Sequence, residues 1–280
     1  MAAQIDLDGR RWQVDLMRGL NLARELRFDA PALRCFGVPA PRSEPFATTG
    51  FTGRVSSGAS CNCSTITLTP HGNGTHTECA GHLTAEPLDA HAVAPRGLVP
   101  TLLLTVIPER AEHCAESSDP APAPSDWLIT RRALESASQA VQAAAPTPTP
   151  GALIIRTLPN DPDRWLQAPE RAAFLSREAA EWLVARGIEH LVLDVPSADR
   201  SEDQGRLTAH RIFFGLPPGS ARLADVTRPH ATITELAFID DAVADSAYLL
   251  SLQLPAIAGD AVPSRPVVYA LRPSHSEAFA

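Results

Sequence analysis

Aromatic side chains are scarce, 5% of 280 residues. A core built on stacked rings is therefore excluded, and Ala, Leu and Val must fill the interior that a 44% hydrophobic content allows. Long apolar runs are missing too. None approaches the roughly 18 residues that suggest a membrane span, so no membrane partner is expected. Positive charge is in the minority, with 24 basic against 32 acidic residues and a formal net charge of −8. That balance argues against nucleic acid as a partner, since binding it calls for a basic face. The five cysteines are an odd number at irregular spacing, unlike a secreted disulfide framework. The opening MAAQIDLDGRRW lacks the basic-then-apolar order of a signal peptide. The expectation is a cytoplasmic protein with reduced thiols.

No internal repeat is present. Length alone fits one large domain or two small ones. Proline clusters mark surface loops at Glu116 to Ser125 and Pro146 to Gly151, because proline removes a backbone donor and breaks regular pairing. Between them, Thr130 to Ala145 reads as a helix capped by Thr130, with Leu134, Ala137 and Val141 on one side. A second helix spans about Ser176 to Arg186, with Ser176 as cap and Gly187 as stop. Ser64 to Thr69 alternates as a strand, with Ile66 and Leu68 on one face. Leu102 to Ile107, Leu153 to Arg156 and Leu191 to Val195 are continuously apolar, as in strands covered on both sides. Tyr248 to Leu254 and Val267 to Leu271 read as further strands. Strand and helix alternate in the middle, and the ends are strand-rich. This predicts an α/β fold in which residues 1–280 form a single domain with a mixed sheet, decorated by the proline-rich loops.

The chemistry concentrates in PHGNGTHTECAGH, residues 70 to 82. Three of the nine histidines, His71, His76 and His82, fall there with Glu78 between them. Imidazole and carboxylate are the usual ligands of zinc and related metals. In an extended segment, residues two apart point to one side, so His76 and Glu78 can reach one ion together. Gly72, Gly74 and Gly81 permit the bends that His71 and His82 need to converge. A polar loop with solvent-exposed histidines is the plain alternative. Far along the chain lie His210, ahead of an apolar run, and Glu235, within Ala231 to Phe238. Alternation puts Ile233, Glu235 and Ala237 on one face, where a lone acid must be paired or metal-bound unless that face meets water. Cys61 and Cys63 read as ordinary cysteines. Cys79 is open between packing, pocket lining and thiolate ligation. Asp194 and Asp199 are open between orienting ligand histidines and capping turns. Arg265 is expected to pair with a core acid. His190 and His230 are taken as structural or exposed, and His91, His113 and His275 are given no role. Trp127, Trp165, Phe213 and Phe214 are candidates for pocket walls.

At these residues the chain resembles the cyclase-like metal hydrolases, which include bacterial kynurenine formamidase (arylformamidase) and isatin hydrolase. The resemblance is carried by Gly74-Thr75-His76 with Glu78 and His82 in register, by Asp194-Val195-Pro196-Ser197-Ala198-Asp199, by His210, and by Thr234-Glu235-Leu236. Asp260 to Pro266 is similar to the closing segment of that family. The resemblance implies a swivelling β/β/α fold, in which a mixed or barrel-like β core is flanked by helices. It implies His71, His76, Glu78, His210 and Glu235 as metal ligands, one or two divalent ions (zinc or manganese), and His82 as the catalytic general acid and base. The implied activity is hydrolysis of a small amide, formamide, lactam or ester by metal-activated water, in a homo-oligomer (dimer or tetramer). Two positions depart from the pattern. The family's first histidine would fall at position 72, which is Gly here, and Glu78 replaces an aspartate. Two rival readings follow: a binding protein that has lost productive metal, and a metal-dependent cyclase or dehydratase.

Overall fold

A computed structural model describes residues 2–274; His275 lies outside them. Four strands form the parallel centre of a large mixed sheet: Leu98–Val106, Ala152–Thr157, His190–Leu193 and Thr232–Glu235, side by side in that order. Ala247–Ser251 and then Val267–Pro273 extend it antiparallel on one flank, followed by the N-terminal hairpin Ala2–Leu7 and Arg10–Asp15. On the other flank His76–Cys79 pairs antiparallel with Thr232–Glu235, and Ala261–Pro263 closes that edge.

The first three of these strands are rich in apolar residues because both faces are covered. Leu102, Leu104, Leu153, Ile155, Leu191 and Leu193 pack toward the helices, while Leu103, Ile154 and Val192 point into a second cluster with Leu22, Tyr248, Leu250 and Val268. Each crossover between parallel strands carries one helix of seven residues or more, and these helices, Arg131–Ala144, Arg177–Ala185 and Thr208–Phe214, lie in a row, neighbour on neighbour. Both expected caps form. Thr130 Oγ1 accepts from the Ala133 N–H and Ser176 Oγ from the Ala179 N–H, and Gly187 takes a left-handed φ of 71°. No helix among the described residues is long and apolar enough to cross a membrane.

Three local expectations are corrected. Ser64–Thr67 is a strand but joins no core. It pairs with Arg42–Pro45 in a separate ribbon, and Ile66 is 57% exposed. Ala237 does not share a face with Ile233 and Glu235. Leu236 turns left-handed (φ 54°), ending the alternation and sending Ala237 into the second cluster. Arg265 meets no core acid; its Nε donates to the exposed Asn21 side chain.

Candidate metal centre

Parallel strands end together at their carboxyl edge, where open sheets leave room for ligands. Glu235 is the last residue of its strand, and the register sets it directly opposite His76, with Ile233 opposite Glu78. Residues two apart share a face, so His76, Glu78 and Glu235 converge on the helix-covered side. All three are buried, and His210 reaches them from Thr208–Phe214, buried as well.

Three of these side chains, His76, His210 and Glu235, are fixed from behind. His76 Nδ1 donates to the Gly74 carbonyl at 3.0 Å, so Nε2 faces the carboxylates. His210 Nδ1 donates to Asp199 Oδ2 at 2.6 Å, and the same carboxylate accepts the Ala209 and His210 backbone N–H groups. Asp199 therefore both caps the helix and orients the histidine. Asp194 takes neither role. It accepts from Thr157 and pairs with Arg164 at 2.7 Å. Glu235 Oε1 accepts the Ala198 N–H at 2.7 Å. The backbone of the Asp194 to Asp199 loop thus holds one carboxylate while its last residue holds one imidazole.

The polar atoms facing inward are close but badly matched to one another. His210 Nε2 lies 2.7 Å from Glu78 Oε1 and 3.5 Å from Glu235 Oε1, and His76 Nε2 lies 3.6 Å from Glu235 Oε2. Yet His76 Nε2 and both Glu78 oxygens are buried without a hydrogen bond of acceptable geometry. Orphaned buried polar atoms are costly. These aim at a shared point rather than at each other, and that arrangement fits a cation among them. The nitrogen and oxygen donors suit a first-row divalent ion.

A second, more open group shares Glu78. His71 Nδ1 lies 3.0 Å from Glu78 Oε2, and the ring centroids of His71 and His82 are 4.3 Å apart. Candidate ligand atoms of His71, Glu78 and His82 fall within 4.8 Å of one another, as do those of His76, Glu78 and Glu235. The structure therefore brings together all six residues singled out in the sequence. It also explains the Gly at position 72: a Cβ there would sit 2.6 Å from Val38 and 2.7 Å from the Cys35 carbonyl. His71 enters instead from the short helix Pro70–Asn73.

Asp260 is the residue the sequence left unmarked. Its Oδ2 accepts from His71 Nε2 at 2.9 Å and His82 Nδ1 at 3.2 Å. It precedes the edge strand Ala261–Pro263, whose Ala261 pairs with Glu78. The only sequence signal was the closing segment, which had drawn attention to Arg265. Cys79 points away from the cluster. Its thiol donates to the Leu88 carbonyl, it packs with Ala90 and Val262, and burial pushes it up to about 12, so thiolate ligation is ruled out. Phe214 stands behind His210, ring centroids 6.2 Å apart, and Phe213 is core. Trp165 donates to the Asp194 carbonyl, and Trp127 lies half exposed beside Arg110. His190 is structural: it shares a hydrogen bond with Thr232, and burial pushes it down to about 4.

In the metal-free protein the cluster holds protons. Burial opposes charge on His71, but Asp260 and Glu78 override it and raise the imidazole to about 10. Burial likewise opposes charge on His210, yet the Glu78 charge and Asp199 hold it well above the ordinary histidine range. Burial alone would raise Glu78, but His210 and His82 hold it well below the usual carboxylate range. His76 goes the other way; burial lowers it and keeps it neutral.

Residues 20–200 match the sequence model of the Cyclase family, described as "Putative cyclase". Among solved structures, the chain is similar to isatin hydrolase A from Ralstonia solanacearum, at 15% identity and a TM-score of 0.58 over 90% of this chain and 92% of that one. It is similar to an isatin hydrolase bound to the product analogue thioisatinate, at 16% identity and a TM-score of 0.58 over 92% and 93%. A protein from Bacillus stearothermophilus described as a "predicted metal-dependent hydrolase" matches at 13% identity and a TM-score of 0.52 over 90% and 98%. At such identities the likeness is one of fold.

Proposed function

We propose, from the premise that this chain belongs to the Cyclase family, that it is a metal-dependent hydrolase of a small amide, formamide, lactam or ester. The observation that carries this reading is the set of buried, unsatisfied atoms (His76 Nε2 and both Glu78 oxygens) facing His210 and Glu235. His76, Glu78, His210 and Glu235 would hold one divalent ion, zinc or manganese. His71 would supply a second position that shares Glu78. Such an ion supplies Lewis acidity and makes water nucleophilic near neutral pH.

The chain's own residues supply the rest. Asp199 and the Gly74 carbonyl fix the two buried imidazoles as single tautomers, a support that tunes ligand strength. His71 and His82 are about a quarter exposed, 26% and 28%, and form the open side where a substrate enters. His82 gives its Nδ1 proton to the hydrogen bond with Asp260, which leaves Nε2 free to take a proton from water and return it to the leaving nitrogen or oxygen. That two neighbours in fold are isatin hydrolases supports the hydrolytic reading. His71, whose displacement was the motive for a metal-free binding protein, faces Glu78 after all. We further propose a homo-oligomer, supported by the coreless Arg42 to Thr67 ribbon, and a cytoplasmic location, supported by five free cysteines.

The test joins elemental analysis of purified protein to turnover of N-formyl aromatic amines, lactams and lactones, before and after His82→Ala. The expected result is bound divalent metal, hydrolysis of one of these classes, and loss of turnover in the variant with metal retained. Water elimination in place of hydrolysis would sink the reading, and so would full activity in the variant.

A further inference from the structure

The helix that carries His210 has a second side. Thr208, Arg211 and Ile212 turn away from the metal centre and line a half-open pocket of about 460 Å³, together with Gln204 to Arg206, Gly215 to Gly219, Asp119 and Arg177. No residue of the metal cluster lines it. Three arginines line it, Arg177, Arg206 and Arg211, with one acid, Asp119. A concentration of positive charge is unexpected in a chain of net charge −8.

The three arginines differ in how they are held. Arg211 is fixed by the carbonyls of Arg206, Pro217 and Ser220. Arg177 and Arg206 have no side-chain hydrogen bond or ion pair among the described residues, and Asp119 neutralises neither. The loop presenting Arg206 is stiff and strained. Gln204 (φ 59°), Gly205 (φ 71°) and Leu207 (φ 47°) are all left-handed, a conformation that is a marked outlier for a residue as bulky as Leu. Asp203, buried, locks the loop by accepting the Gly205 and Leu207 N–H groups at 2.8 and 2.6 Å. Strain held in place by a buried carboxylate is characteristic of ligand clamps. Ile212, Leu216, Pro217 and Pro218 give the pocket apolar lining.

We propose that this cavity is a second ligand site, separate from the metal centre, for a small organic carboxylate with an apolar body. The carboxylate takes the forked N–H groups of Arg177 and Arg206, for which a planar oxyanion is the matching partner. The apolar body lies on the Ile212 and Leu216 wall.

Sodium benzoate and inorganic phosphate are the probes, titrated separately into the full chain by calorimetry with and without chelator. Benzoate should bind saturably, more tightly than phosphate, and equally well after chelation or in His82→Ala. Arg206→Gln and Arg177→Gln should each weaken it roughly tenfold or more, and Arg206→Lys should recover part of the loss. Neither side chain makes a hydrogen bond or ion pair among the described residues, and the charge of Arg177 acts only weakly on the part-exposed Glu178, so melting curves of the variants should lie close to the parent. Absent benzoate binding overturns the site, as does binding indifferent to both arginines or abolished by chelation. Phosphate binding as tightly as benzoate overturns the choice of an organic carboxylate.

Discussion

Glu78 faces three histidines and carries the electrostatics of the site. His71 lies 3.0 Å from one of its oxygens and His210 2.7 Å from the other, and the charge of His82 adds to the pull. A metal ion must displace the protons held on His71 and His210, since only the unprotonated nitrogen ligates. Metal uptake by the chelated protein near pH 7 should therefore release protons, measurable as a dependence of the calorimetric heat on buffer ionisation enthalpy. His71→Ala should reduce that release. The same raised value bears on stability. A charged His71 contributes to the metal-free fold fully below its unfolded value near 6.5, and the contribution is lost as pH rises toward about 10. Melting temperatures of metal-free protein between those limits should fall more steeply with pH for the parent than for His71→Ala. Asp199 acts through His210, so Asp199→Asn should weaken metal binding about 10- to 100-fold, read by competition with a chromophoric chelator.

Elements, rather than single residues, decide how His71 reaches the site. The short helix Pro70–Asn73 lies so close to the Cys35 carbonyl and Val38 that position 72 admits no side chain. Gly72→Ala should cost about 1–3 kcal/mol by overpacking and weaken metal binding through displaced His71, whereas an alanine at the open Gly97 should do neither; urea melts and metal titration check both. The helix starts were legible in the sequence because capping is local chemistry. Thr130 and Ser176 each accept the N–H three residues on. Removing either cap by Ala substitution should cost about 1 kcal/mol. The face of Ala237 was not legible, because it depends on a left-handed Leu236 that no pattern of apolar residues announces.

For the whole molecule, the ribbon from Arg42 to Thr67 is the part without a core. Its strands pair only with one another, and Phe46, Val55 and Ile66 are exposed along it. Two-stranded ribbons are marginal alone in water, and the proposed homo-oligomer would cover this one with a second copy. Light scattering should show an oligomer, and Ile66→Glu with Phe46→Glu should shift it toward monomer. A monomeric parent would remove the proposed assembly without touching the metal centre.

The sequence by itself determined the alternation of strand and helix, the two capped helices, the doubly covered central strands and the residue types of the metal cluster. Periodicity and capping act over a few residues, and ligand chemistry is a property of side chains one at a time. Tertiary structure decided everything that required distant segments to meet. Register set Glu235 opposite His76, the edge strand brought Asp260 between His71 and His82, and the crossover helix put His210 beside Glu78 and Arg211 on the other side. Strand pairing and helix packing join residues more than a hundred positions apart, and no spacing along the chain encodes which of them will touch.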